Sequence, residues 1–151
     1  MQETINHHTI SAKISTTTAA MESTLESYPA DNCIDGILNT FCHTNYGTNV
    51  WFKMTFEKIS CIDSVKIVGY NTDGAQNRMD KGVILVKNSG TDKESLCGLL
   101  QTREGEDQTY DVECEKYVCG DQVKLSVVRA ANDYPGLIVM REMTAYYSTG
   151  K

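Results

Sequence analysis

The sequence predicts an all-β protein, an antiparallel β-sandwich or jelly roll, and three observations lead to this fold class. Apolar and polar residues alternate with period two along most of the chain, which is the pattern of half-buried strands. Turns rich in Gly, Asn and Asp separate five or more such runs. No segment of twelve or more residues has a convincing helical period, so no helices are available to cover a parallel sheet.

The first clear strand signals lie in the middle of the chain. Residues 49–58, NVWFKMTFEK, alternate strictly, and one face carries Val50, Phe52, Met54 and Phe56. Residues 61–70, CIDSVKIVGY, place Val65 and Ile67 on a shared face. Each run is expected to form a strand whose apolar face lies toward the core.

Further strand signals follow toward the C-terminus. Residues 82–88, GVILVKN, form a continuous apolar run that suits a strand covered on both sides. Residues 122–128 and 136–147 alternate again. The best helix candidate, residues 16–28, is rich in threonine and carries little apolar face, so it is not expected to form a helix.

The length and composition predict a single domain. A chain of 151 residues with 40% apolar content is large enough to bury its own core. We expect a flexible N-terminal arm over residues 1–8, the β-sandwich over 9–148 and a short tail over 149–151. No apolar run approaches the roughly 18 residues needed to span a bilayer, and the N-terminus lacks the basic and apolar blocks of a signal peptide.

Six cysteines, at positions 33, 42, 61, 97, 114 and 119, are many for a cytosolic protein of this size. Their spacing contains no C-x-x-C pair, which argues against a zinc site. A disulfide framework is favoured, and it predicts a secreted, extracellular protein. Fifteen full pairings are open to six cysteines, and the spacing does not choose among them.

Charge and motifs narrow the function classes. A formal charge of −6 and a pI near 5.0 argue against nucleic acid or an anionic membrane as the main partner. The sequence contains no G-x-S-x-G, no H-E-x-x-H and no phosphate-binding glycine loop. Cys42 and His43 are adjacent, but neighbouring strand residues point to opposite faces, which does not suit a catalytic pair. We expect a binding protein and not an enzyme.

Residues 28–45, YPADNCIDGILNTFCHTN, carry a family resemblance. Their pattern Ala-x-Asn-x-x-Asp-Gly, followed closely by Thr-x-Cys-His-Thr, resembles the F-type lectins (fucolectins), which are relatives of the discoidin and coagulation factor V/VIII type C domains. The resemblance continues through NVWFKMTF at 49–56 and the Leu-Cys-Gly at 96–98, and ends in MREMTAYY at 140–147. It covers residues 9–147 and implies an eight-stranded jelly roll with a structural calcium ion and a sugar pocket among the loops.

The calcium ligands implied by the resemblance combine carboxylates, a hydroxyl and main-chain oxygens. Calcium is a hard cation that takes six to eight oxygen ligands, so such a mixture is chemically suitable. Two carboxylates would supply the charge, Thr40 its hydroxyl, and the other residues only their carbonyl oxygens. The implied set is Asn32, Asp35, Ile37, Thr40, Arg141 and Glu142. The alternative is that Asp35 and Gly36 form an ordinary turn and that Glu142 is a solvated strand residue.

The sugar-binding signature of the family is a histidine, followed by Arg-x-Asp and then a further Arg or Lys. The resemblance assigns ligand-binding roles to His43, Asp73 and Arg78, and it places Asn71 where the family has its first arginine. Gly74-Ala75 also replaces an adjacent cysteine pair that members often carry beside the pocket. The expected partners are fucosylated glycans or related saccharides on cell surfaces or glycoproteins.

The replacement at position 71 has a physical consequence. Arginine offers a cationic fork of donors, while asparagine is shorter and neutral. Losing a charged hydrogen bond costs about 1–3 kcal/mol, or roughly 5- to 150-fold in affinity. Asn71 could therefore abolish fucose binding or retune the pocket for another hydroxyl pattern. Three nearby aromatic residues are candidates either for stacking on a sugar or for the core: Phe41, Tyr46 and Tyr70.

Two functions follow from these observations. The protein is either a secreted lectin with a variant pocket or a discoidin-like adhesion module that has lost sugar binding and recognises a protein or lipid surface. A lectin could multiply weak sites as a homo-oligomer. The resemblance also implies a Cys97–Cys114 disulfide, and the other four cysteines could join as Cys33–Cys42 and Cys61–Cys119.

Overall fold

The computed structural model describes residues 11–70, 79–101, 109–130 and 135–148. These ranges contain eight strands and a short 3-10 helix at Ala30–Cys33. The strands are β1 (Ser11–Lys13), β2 (Thr16–Met21), β3 (Cys42–His43), β4 (Asn49–Gly69), β5 (Val83–Asn88), β6 (Lys93–Leu99), β7 (Thr109–Val128) and β8 (Val139–Ser148). Every strand pairing is antiparallel, so the predicted antiparallel β-sandwich of jelly-roll type is confirmed.

Strand β4 differs from the sequence prediction. The two runs expected as separate strands, residues 49–58 and 61–70, belong to one strand of 21 residues. Strand β7 pairs with both halves, and the register shifts between Thr55 and Ser60 and again between Ile62 and Ser64. Pairing with a common partner keeps the halves in one strand, while bulges of this kind bend a ribbon. The β4–β7 ribbon thereby contributes to both layers of the sandwich.

The two halves of β4 have different second neighbours. The first half pairs with β2 as well as β7, and the second half pairs with β8 as well as β7. The strand order is β1-β8-β4-β7-β5-β6, with β2 on β4 and β3 on β8. Both halves bury their apolar faces in the core, and the buried β4 residues are Val50, Phe52, Met54, Phe56, Ile62, Val65 and Ile67. Alternation in the sequence therefore marked the core-facing residues of this strand correctly.

Both ends of β4 lie at the same end of the sandwich. Cys42 and Gly69 both pair with Met140 at the start of β8. Gly47, just before β4, forms a bridge with Gly136. We call this the loop end. At the opposite end, which we call the bend end, the middle of β4 meets the beginning of β2 and the last residues of β8.

Three disulfide bonds join all six cysteines. They are Cys33–Cys42, Cys61–Cys119 and Cys97–Cys114, which are the pairings expected above. Cys33–Cys42 ties the 3-10 helix to β3 at the loop end, and Cys61–Cys119 crosses the ribbon at the bend end. Within the described ranges, no helix has the length and apolar character needed to cross a membrane.

Candidate functional site

Residues 29–40 contain the 3-10 helix and the loop that follows it toward β3. We call this segment the metal loop, because most of the metal ligands implied by the resemblance lie in it. Gly36 takes a left-handed backbone conformation (φ 75°), which glycine adopts without strain. Its amide donates hydrogen bonds to both carboxylate oxygens of Glu142, at 3.2 and 3.1 Å. Glu142 lies on β8 and is only 7% exposed. The turn thus brings a buried carboxylate from a distant strand onto the loop.

The hydroxyl of Thr40 lies at the centre of the metal loop. Its Oγ1 is 2.7 Å from Asp35 Oδ2, 3.0 Å from the carbonyl oxygen of Ile37 and 3.3 Å from that of Asn32. One hydroxyl carries one proton and can satisfy only one of these acceptors fully. Backbone amides of the loop also donate into this cluster. The carboxylate, hydroxyl and carbonyl oxygens gathered here are the ligand types that a hard cation such as calcium takes.

The electrostatics of Glu142 also suit a cation at the metal loop. Burial raises the pKa of Glu142 to about 7; the Gly36 amide opposes this shift, and the neighbouring Asp35 carboxylate adds to it. Two carboxylates held close together disfavour the state in which both are charged. A divalent cation at this position would favour that state.

The structure thus brings five of the six implied metal residues to one place, while the ligand role implied for the carbonyl oxygen of Arg141 stays a prediction. Arg141 uses its side chain: Nη1 donates a 2.7 Å hydrogen bond to the carbonyl oxygen of Leu38, on the metal loop. No group of three or more His, Cys, Asp or Glu side chains suited to a metal occurs in the described ranges. An ion here would depend on hydroxyl and main-chain oxygens in addition to Asp35 and Glu142.

His43 lies in β3 at the loop end, paired with Val139 of β8. Its Nδ1 is 2.7 Å from the carbonyl oxygen of Thr44. A carbonyl oxygen only accepts hydrogen bonds, so Nδ1 carries a proton, and Nε2 is the ring nitrogen outside this contact. Thr44 is itself fixed, because it is fully buried and its Oγ1 accepts a 3.0 Å hydrogen bond from the Ile138 amide.

Two aromatic rings, Tyr28 and Phe41, lie beside His43, and Tyr70 packs on Phe41. We call these four residues the aromatic group: Tyr28, Phe41, His43 and Tyr70. The centroids of Tyr28 and Phe41 are 4.4 Å apart, and those of Phe41 and Tyr70 are 4.3 Å apart. The His43 ring is 6.2 Å from Tyr28 and 6.4 Å from Phe41. Phe41 and Tyr70 are half-buried against Leu137 and Val139. The group combines a small apolar core with partly exposed ring surface.

Two features of this site were missed in the sequence. Tyr28 opens the motif at 28–45, but only its stacking on Phe41 shows that it belongs to the aromatic group. The guanidinium carbon of Arg141 lies 4.4 Å from the ring centroid of Tyr70. Because the same side chain bonds Leu38, Arg141 joins the metal loop to the aromatic group.

The remaining predicted ligand residues, Asn71, Asp73 and Arg78, lie outside the described residues, as do Gly74-Ala75 and the expected arm at 1–8. Their roles stay predictions. The described chain stops on one side at Tyr70, in the aromatic group, and resumes at Met79, which is 3% exposed. Tyr46, the third aromatic candidate, is 56% exposed.

Comparison with known proteins supports the fold prediction. Neither a protein-family model nor a curated protein matches the chain. Among solved structures, it is similar to the family 32 carbohydrate-binding module of C. perfringens NanJ in complex with galactose (22% identity, 91% of this chain and 99% of that chain, TM-score 0.73). It is also similar to a fucose binding module of Streptococcus pneumoniae (15% identity, 90% and 95%, TM-score 0.72).

A third similar structure is a fucolectin from the serum of striped bass, Morone saxatilis (20% identity, 89% of this chain and 46% of that chain, TM-score 0.72). This chain therefore spans about half the length of the striped bass lectin. The protein has the fold shared by these lectins and carbohydrate-binding modules, the fold that the motifs at 28–45 predicted.

Proposed function

We propose that the protein is a secreted lectin that binds fucose or a related saccharide at the loop end. The observation that carries this proposal is the state of His43. Its Nδ1–H is committed to the Thr44 carbonyl, which leaves Nε2 as the ring nitrogen available to a ligand, and the ring lies beside Tyr28 and Phe41. An imidazole nitrogen beside half-buried aromatic rings can bind a sugar hydroxyl while the rings cover an apolar face of the sugar.

The other ligand roles follow from the resemblance. Nε2 of His43 accepts a hydrogen bond from a sugar hydroxyl, while Arg78 donates to adjacent oxygens and Asp73 orients its neighbours. Tyr70 and Phe41 offer apolar surface to the sugar ring or to the methyl group of fucose. Asn71 makes one contact weaker than the family arginine would, so affinity for a single sugar is low, and homo-oligomers would raise the avidity.

The proposal includes a structural calcium ion at the metal loop. Asp35 and Glu142 would supply charge, and Thr40, with the carbonyl oxygens of Asn32 and Ile37, would supply neutral oxygens. A bound ion would add positive charge where two carboxylates crowd each other. The chain's own part is to hold the loop against β8, which it does through the Gly36–Glu142 hydrogen bonds.

The similar structures support a glycan as the partner class. The striped bass protein is named a fucolectin and the Streptococcus pneumoniae protein a fucose binding module, and the NanJ module is described in complex with galactose. All three are named as lectins or binding modules, which favours a binding role over catalysis here. The three disulfides favour an extracellular location.

The test is a glycan array with calcium present, followed by titration calorimetry with the best glycan. His43→Ala should remove binding, and His43→Gln should restore part of it because the amide can still accept a hydrogen bond. His8→Ala is the matched control, because the sequence assigns His8 to the N-terminal arm. Folded protein that binds no glycan on the array would overturn the lectin proposal.

One observation favours the alternative, an adhesion module without sugar binding. Ile37 and Leu38 on the metal loop are 49% and 56% exposed. Neighbouring exposed apolar side chains on a loop can dock on a lipid or protein surface. Binding to zwitterionic phosphatidylcholine vesicles that is lost in Ile37→Ser/Leu38→Ser, together with a blank glycan array, would support this function.

A further inference from the structure

A cleft of about 530 Å³ opens at the bend end of the sandwich. It lies between the β1–β2 connection, the bend of β4, Tyr117 of β7 and Tyr147 of β8. His43 pairs with Val139, eight residues before Tyr147 on β8. At roughly 3.3 Å per strand residue, the cleft is about 26 Å from His43 along the strand. It is therefore separate from His43, although Lys13 and Ser15 of its lining also border a neighbouring pocket that reaches Glu142.

The cleft exposes apolar surface over a buried floor. Ile14 and Phe56 are 6% and 3% exposed, whereas Ile59, Tyr117 and Tyr147 are 53%, 80% and 38% exposed. Three of the nine exposed large apolar side chains in the described part of the chain thus line a single cleft. Isolated exposed apolar residues are ordinary, but several gathered around a concavity indicate a binding surface.

The polar lining includes both hydrogen-bond donors and acceptors. Lys13 and Lys58 only donate, Glu57 only accepts when charged, and the hydroxyls of Ser15 and Ser60 do both. Two lysines and one glutamate give the lining a net charge of only +1, so charge alone does not define the ligand. Sugar hydroxyls both donate and accept hydrogen bonds, so they can pair with each kind of polar side chain in this lining.

We propose that the bend-end cleft is a second saccharide site, which takes a neutral mono- or disaccharide with one pyranose face on the ring of Tyr117. The volume lies within the usual range for small-ligand pockets. An exposed tyrosine gains contact area when a sugar ring covers it. This site goes beyond the proposed lectin pocket, and with it one chain could hold two glycans at opposite ends.

The experiment is an NMR titration of the ¹⁵N-labelled full chain carrying His43→Ala, so that the loop-end pocket is disabled. The probes are galactose, glucose, mannose, N-acetylglucosamine, lactose and cellobiose, each up to high millimolar concentration. At least one probe should shift the amide signals of Ser60, Tyr117 and Tyr147 in a saturable way. If none moves these signals while the spectrum stays folded, the second site does not exist.

Three variants separate a stacking site from a general surface effect. Tyr117→Ala should weaken binding of the active probe about tenfold, while Tyr117→Phe, which keeps the ring, should retain most of it. Leu96→Ala, an exposed apolar change on β6, should have no effect. Equal affinity in Tyr117→Ala and the parent would overturn the proposal. Because the titration is done without His43, failure of the lectin pocket leaves this result unaffected.

Discussion

The metal loop and the aromatic group meet at the loop end of the sandwich, but different forces hold them. The metal loop is held by polar contacts, in which Gly36 and Thr40 bind carboxylates that crowd each other. The aromatic group is held by ring stacking on a small apolar cluster. The proposed cation would act on the first region, whereas the second is held by contacts between its own side chains. Calcium should therefore act mainly on stability and sugar mainly on the aromatic group, and Arg141, which touches both regions, is the contact through which we test for coupling.

Removing the Cys33–Cys42 disulfide should have the largest effect, because it anchors both regions. Cys33 ends the 3-10 helix of the metal loop, and Cys42 precedes His43 in β3. Cys33→Ala/Cys42→Ala should lower the free energy of unfolding by about 2–4 kcal/mol and also remove both calcium and saccharide binding. Urea unfolding and calorimetry measure the two effects.

The matched control is Cys97→Ala/Cys114→Ala, which removes the disulfide between β6 and β7. It should cost a similar amount of stability but leave ligand binding unchanged. If both double variants lost binding equally, the loop end would have no special dependence on Cys33–Cys42.

Calcium should stabilise the protein through the metal loop alone. At a hundredfold excess over its dissociation constant, calcium adds about 2.7 kcal/mol to the unfolding free energy, and a chelator should remove this. Glu142→Gln should abolish the calcium response and yet raise the stability of calcium-free protein, because it removes a buried charge beside Asp35. Thermal unfolding with calcium and with chelator gives both values.

Glu113→Gln serves as the charge-matched control, since Glu113 is exposed on β7. It should change neither the calcium response nor the calcium-free stability appreciably. If the wild-type melting temperature were the same with chelator and with calcium, the calcium proposal would be wrong. The roles proposed for the aromatic group would not be affected by that result.

The contribution of position 71 to fucose affinity can be tested by restoring the family arginine. Asn71→Arg adds a charged donor, which should strengthen fucose binding by about 1–3 kcal/mol, or roughly 5- to 150-fold. The gain should vanish when His43→Ala is added, and calcium stability should stay unchanged. Calorimetry with free fucose measures it. A variant that binds fucose no better than the parent would mean that position 71 does not face the sugar.

The sequence predicted much of this architecture because the deciding signals are local. Alternation identified the buried residues of β4, such as Phe52 and Ile67, and one motif gathered the metal-loop residues and His43. The continuity of β4 was not predictable, since it depends on pairing with β7, more than fifty residues away in its first half. The cleft beside Tyr117 was missed for the same reason, because its lining comes from four separate segments.

The side chain of Arg141 has contacts that local reasoning did not predict. The resemblance used only its carbonyl oxygen, and nothing near it in the sequence predicts where its guanidinium lies. In the structure that group bonds Leu38 and covers Tyr70, so it is one side-chain contact between the two regions, beside the hydrogen bond from Asn32 Nδ2 to the Phe41 carbonyl oxygen. If this contact carries a coupling, calcium and saccharide should each raise the affinity for the other.

Arg141→Lys tests that coupling with the smallest expected effect. Lysine keeps the charge but loses the planar fork and the stacking, so saccharide affinity should fall only by the worth of an exposed cation–π contact, about 0.5–1 kcal/mol. The decisive reading is the change in saccharide affinity on adding calcium, which should shrink in the variant and not in Lys53→Gln, a variant that removes another cation–π contact at 5.1 Å over Trp51. An unchanged calcium effect in Arg141→Lys would mean that the Arg141 contact does not couple calcium binding to saccharide binding. A diminished effect would mean that Arg141 transmits calcium binding at the metal loop to saccharide binding at the aromatic group.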